Sequence, residues 1–153
     1  MTTPAIPVET KFVCAMLNLP DEMRDRMIFE EHRPLVLARL RSVTLEDAYL
    51  EALQGFHDED PAFTAFRFGY AFLMLASVLE FLNLKTLGEG IIKSTGFDAQ
   101  STELLTGSEI ESFKATLERR ALEALTDYLN PVGRNRLDAL CDRVGRRVRA
   151  VVI

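Results

Sequence analysis

Residues 58–84 read DEDPAFTAFRFGYAFLMLASVLEFLNL, the most apolar stretch of the chain, and their reading decides the fold. Asp60-Pro61 is a helix start: proline at the first helical position loses nothing by lacking an N–H, and the acids before it complement the positive end of a helix. Only Arg67 and Glu80 are charged between Pro61 and Leu84. One long helix over about 61–83 is predicted. Its apolar residues do not form a single stripe, because Phe68, Phe72, Leu75, Leu79 and Leu82 mark one face and Phe63, Phe66, Tyr70 and Leu73 another. A helix apolar nearly all round needs cover nearly all round. Its charge-free run, Phe68 to Leu79, is shorter than the ~20 residues that span hydrocarbon, so a buried helix is expected and no membrane partner.

The cover comes from this chain's other helices or from a second copy. Phe63, Phe66 and Tyr70 are the candidates for a homodimer surface if the rest of the chain leaves them bare.

Working outward, the other segments also carry helical signals. Val8, Phe12, Ala15, Met16 and Leu19 recur at helical spacing before Pro20. Pro20-Asp21-Glu22 opens a second helix that Pro34 is expected to end, and Pro34 starts a third, short one through Leu40. Thr44-Leu45-Glu46-Asp47 resembles a capping box ahead of the stripe Leu45, Ala48, Tyr49, Ala52, Leu53 and Phe56. Residues 84–107 are the least regular, with a short helix expected to end near Gly96 and another piece from Asp98 to Leu105. Ser108-Glu109-Ile110-Glu111 is a full capping box, and Ile110, Phe113, Leu117, Ala121, Ala124 and Tyr128 follow as an apolar face. Lys114–Glu118 and Arg119–Glu123 are expected as exposed pairs on that helix. Asn130-Pro131 breaks the pattern and Gly133 is placed in the turn. A last helix carries the narrow apolar face Leu137, Leu140, Cys141, Val144, Val148 and Val151.

The expected fold is therefore all-α: one domain over 1–153, an irregular bundle of about seven to nine helices around the 61–83 helix, with 131–153 as a basic amphipathic helix packed on it. A chain of 153 residues with 48% apolar content is enough for one core without staples. Cys14 and Cys141 lie on apolar helix faces without a CxxC pair, which reads as two buried thiols in a reducing compartment. The first residues, Met1-Thr2-Thr3-Pro4, lack a basic leader and an apolar run, so a cytoplasmic protein is expected.

Charge is unevenly placed. The chain carries −5 overall, but residues 1–130 hold 12 basic and 21 acidic side chains whereas 131–153 hold six arginines against two aspartates. Arg136, Arg143 and Arg147 share one flank of the last helix at i, i+7, i+11, while Asp138 and Asp142 lie on the other. These three arginines are the candidate site for an anionic partner, an acidic protein face or a phosphate, since guanidinium forks bind both bidentately. The bland alternative is that they pair with acids of the same chain.

No stretch carries a catalytic or cofactor motif. Glu30-Glu31-His32 and His57-Asp58-Glu59-Asp60 combine imidazole and carboxylate, but neighbours at i+1 do not share a helix face and no HExxH occurs, so neither metal nor cofactor is assigned. Gly88-Glu89-Gly90 lacks the GK[ST] of a phosphate loop. Ile91 to Leu105 imitates a helix-turn-helix, yet its reading segment, Asp98 to Glu103, has two acids and no cation to face phosphates.

The lead expectation is a non-enzymatic protein-interaction or regulatory protein, such as an adaptor, inhibitor or immunity-type factor, with a protein as partner. Two alternatives stand beside it. Arg26 and His32 form an R-x5-H spacing similar to that of the HEPN ribonucleases, all-α proteins whose paired Arg and His meet across a dimer; the resemblance covers seven residues and implies His32 as acid or base and Arg26 on the phosphate. The other alternative is nucleic-acid binding through the Arg-rich last helix, against which the acidic body works.

Overall fold

The structure, a computed structural model, describes residues 8, 10–16, 27–54, 60–85, 92–94, 102–104 and 107–151, with side chains described for 8, 11–15, 29–54, 60–79 and 107–143. Among these residues there are six α-helices: α1 (Thr10–Met16), α2 (Met27–Val43), α3 (Glu46–Gln54), α4 (Pro61–Lys85), α5 (Gly107–Ala124) and α6 (Pro131–Val151). A 3-10 turn at Thr126–Tyr128 follows α5, and a two-strand antiparallel ribbon, β1 (Ile92–Ser94) with β2 (Thr102–Leu104), pairs Ile92 with Leu104 and Ser94 with Thr102. The described residues are thus nearly all helical around a central helix, as expected, but the count of seven to nine helices is not reached.

Two local reasons account for the shortfall. Pro34 sits inside α2 instead of ending it. A proline interior to a helix frees the carbonyl four residues earlier, and here both Pro34 and Glu30 are exposed residues, so the break falls on the solvent side of α2, where it costs least. The expected second and third helices therefore merge into one from Met27 onward; Arg26 and the residues before it lie outside the described residues. Between α4 and α5, short strands stand where short helices were expected, and Ile92, Lys93 and Ser94 find their backbone partners across the ribbon.

α4 begins as its sequence dictates. Asp60 caps it, accepting at Oδ1 from the Ala62 amide (3.0 Å), while the Asp60 carbonyl accepts from Thr64 (3.0 Å). Helices α1, α2, α3 and α5 all pack on α4, and α6 forms an outer layer against α5 and α2. The window Pro61–Leu79 is long and apolar enough to cross a membrane by length and composition alone, but 67% of it is buried inside the chain. It is the core helix of the bundle.

That wrapping corrects the dimer-surface candidates. Phe63, Phe66 and Tyr70 are 5%, 0% and 2% exposed, so this chain alone covers them. Phe66 meets the rings of Tyr49 on α3 (6.2 Å between centroids) and of Tyr128 (5.9 Å). Tyr70 lies under the Arg33 guanidinium, 5.8 Å from its ring centroid, and Arg67 stacks over Phe12 at 3.7 Å. On the other face Leu75 and Leu79 are buried as well, and Phe68, at 38% exposed, is a large apolar residue of α4 that stays partly open. Gly69 lets Leu125, the residue after α5, close in, because a Cβ there would stand 2.6 Å from Leu125 Cδ1.

A clasp ties two turns that are far apart in the chain. Thr44 and Leu129 form an isolated β-bridge, with the Leu45 amide donating to the Tyr128 carbonyl (2.8 Å) and the Asn130 amide to that of Val43 (3.0 Å). The Asn130 side chain works on both sides: its Nδ2 donates to the carbonyls of Ser42 (2.9 Å) and Thr44 (3.1 Å), and its Oδ1 accepts from the Gly133 amide (2.8 Å) as the N-cap of α6. Gly133 therefore belongs to the first turn of α6 and not to the connecting turn. Thr44, expected to cap α3, instead donates its hydroxyl back to the Leu40 carbonyl (2.8 Å).

Candidate functional site

The clasp fixes how α6 lies against α2 and α5, and a cleft of about 890 Å³ opens where these three helices meet. Its cations are Arg39 from α2, Lys114 from α5, and Arg136 and Arg143 from α6; its carboxylates are Glu111 and Glu118 from α5. Apolar floor comes from Ala76 of α4, Ala115 and Leu140. Four cations against two carboxylates make this a locally basic cleft on a chain whose net charge is −5.

At its base lies Glu118, 8% exposed. Arg136 donates to it as a fork, Nε to Oε1 at 2.8 Å and Nη2 to Oε2 at 3.0 Å, and Arg39 Nη2 reaches Oε1 at 2.7 Å. Burial alone would push the Glu118 carboxyl up, but hydrogen bonding from Arg136, the charges of Arg39 and Arg136, and the Arg39 hydrogen bond together outweigh it and hold the carboxyl below its ordinary value. The Arg136 guanidinium is correspondingly raised, chiefly by its hydrogen bonds to Glu118. Glu118 is thus ionised at neutral pH, in a three-helix junction of net charge +1.

Of the three arginines singled out from the sequence, the structure brings Arg136 and Arg143 to one cleft. Arg147 is in the described backbone of α6, but its side chain lies outside the described residues. Arg136 is not without an acid: Glu118 supplies one from the adjacent helix, which spacing within α6 alone does not reveal. Glu118 itself was expected to pair in the open with Lys114. Instead Lys114 stands 3.7 Å from Glu111, while the Arg119–Glu123 pair forms as expected. A signal for Glu118 was present, since it sits within the apolar set Leu117, Ala121 and Leu122 on the side of α5 that faces inward. Arg39 carried no such signal; only the tertiary packing of α2 against α6 brings it here.

His32 meets α4, its Nδ1 lying 2.9 Å from Ser77 Oγ. Its proposed companion Arg26 and the second imidazole, His57, lie outside the described residues. Among the described residues no group of three His, Cys, Asp or Glu is placed to hold a metal ion. Cys14 is buried and Cys141 exposed, both as free thiols; the reading of two buried thiols fails for Cys141 because it falls at the edge of the face that Leu140 buries.

No protein-family model matches the chain, and no curated protein or solved structure shows significant similarity to it. The chemistry of the cleft has to be read from its own residues. It offers guanidinium forks and an ammonium to an oxygen-rich anion. Glu118, held by two guanidiniums that keep its carboxyl below the ordinary value, is poorly suited to take a proton near neutral pH.

Proposed function

We infer that this protein is a non-enzymatic interaction protein of the cytoplasm that binds an acidic segment of a protein partner in the cleft between α2, α5 and α6. The observation that carries this reading is the concentration of Arg39, Lys114, Arg136 and Arg143 around one cleft of an otherwise acidic chain. Complementary charge of this kind steers association and sets specificity. The small apolar floor of Ala76, Ala115 and Leu140 gives an acidic segment somewhere to seat an aliphatic side chain. The free thiols of Cys14 and Cys141 suit a reducing setting.

The test is fluorescence anisotropy with a short, capped, labelled peptide alternating glutamate and alanine. Binding is expected, weakening as salt rises and falling at least about tenfold when Arg39 and Arg143 are both changed to Gln. Retention of RNA in place of the peptide would favour the nucleic-acid alternative, and RNA degradation lost in His32→Ala would favour the ribonuclease one. Binding of the peptide that is indifferent to both arginines would refute the cleft as the site.

A further inference from the structure

We propose that Glu118 is a built-in competitor for the cleft: it occupies the guanidiniums that an acidic partner needs and so holds the affinity of the site down. This rests on the reading of the cleft as a site for acidic segments.

The geometry carries it. Glu118 presents the same chemical group that a partner's acidic side chain would present, and both of its oxygens are taken, Oε1 by Arg136 Nε (2.8 Å) and Arg39 Nη2 (2.7 Å), Oε2 by Arg136 Nη2 (3.0 Å). The acid lies below and the cations above it. The Glu118 side chain is 10% exposed, whereas those of Arg39 and Arg136 are 45% and 42% exposed. The guanidiniums are therefore more open to solvent than the carboxylate they hold. A guanidinium has five N–H donors, and Arg136 commits two of them to Glu118. An arriving carboxylate meets the remaining donors, but it also meets the charge of Glu118 immediately behind them. Like charges in a partly buried place repel more strongly than in water. Binding then proceeds by sharing or transferring the Arg39 and Arg136 forks, and a site with an internal ligand has its affinity reduced in proportion to the fraction of time that it is free of that ligand.

The alternative role for Glu118, holding the two arginines in a binding geometry, makes the opposite prediction, so one variant separates them. Glu118→Gln keeps the shape and an acceptor oxygen while removing the negative charge. In the anisotropy titration with the Glu-Ala peptide, Glu118→Gln is expected to bind about tenfold more tightly than the unaltered protein, which corresponds to about 1.4 kcal/mol, with a steeper loss of affinity as salt is raised. Equal or weaker binding by Glu118→Gln, with the unaltered protein binding, would overturn the proposal and leave the cleft reading standing. Binding by neither protein overturns both; binding by Glu118→Gln alone supports both. A second measurement needs no variant. In the 15N spectrum of the unaltered protein, the Arg136 Nε–H resonance is expected to shift with the same midpoint as peptide binding, and a resonance that stays in place through saturation would count against any transfer of the fork.

Discussion

Gly133→Ala tests the clasp at its tightest point. A Cβ added at Gly133 would fall well inside van der Waals contact with the Val43 carbonyl oxygen and 3.0 Å from Leu129 Cδ2. Alanine would gain about 1 kcal/mol of intrinsic helix preference in the first turn of α6. Against this, Val43 has its carbonyl fixed by the Asn130 amide and sits where the backbone, not a flexible side-chain end, must give way. Forcing a methyl into a packed place costs about 1–3 kcal/mol, and each clasp hydrogen bond broken with its groups left buried costs about 1–3 kcal/mol more. The net expectation is a loss of about 2–3 kcal/mol. For a chain of this length that is a fall in Tm of about 4–12 °C. Urea titration followed by circular dichroism reads it as a lower midpoint with unchanged slope. Gly107→Ala is the matched control, since nothing lies within 4 Å of the Cβ it would add, and it should unfold at or slightly above the unaltered midpoint. A Gly133→Ala protein as stable as Gly107→Ala would refute the packing argument.

Asn130→Ala removes the α6 cap and the two side-chain bonds to Ser42 and Thr44 together, and a loss of about 2–3 kcal/mol in the same titration is expected. Phe66→Ala empties a fully buried site between Tyr49 and Tyr128 and should cost about 3–5 kcal/mol; light scattering should show no change in association state, and a change would reinstate this face as a dimer contact. Because the Glu118 carboxyl is held below its ordinary value, its contribution to stability is present above the unfolded-state value and is lost as pH falls through the lower, folded one. Stability should therefore decline less steeply in Glu118→Gln than in the unaltered protein as acid is added below about pH 5, and parallel declines would show that Glu118 does not titrate with folding.

What the sequence revealed and what it hid divide along physical lines. The limits of α4 were legible because Asp60-Pro61 and a run of apolar residues are local signals, and the structure begins α4 at Pro61. Likewise Asn130-Pro131 marks the start of α6 by cap chemistry alone. Pro34 misled because its effect depends on where the freed carbonyl points, which is a property of the folded surface. The ribbon at 92–104 was missed because its pairing is between residues about ten apart whose side chains show no alternation. In the cleft, Arg136 and Arg143 were recognisable as one flank of a helix, but Arg39 and Glu118 arrive from α2 and α5. Their meeting depends on the way three helices cross, and only the acid set among Leu117, Ala121 and Leu122 hinted at it.

The clasp also has a meaning for how the chain folds. By joining Ser42–Leu45 to Tyr128–Asn130 it makes the intervening segment, with α3, α4 and α5 inside it, a closed loop tied at its neck. The entropy of closing so long a loop is only weakly dependent on its length, but it has to be met in full before the neck gains anything. The neck is therefore expected to close after the helices have packed on α4. The amides of Leu45 and Asn130, bonded across the neck, should exchange more slowly than unbonded surface amides but faster than those of the core, since the last contact to close is the first to open.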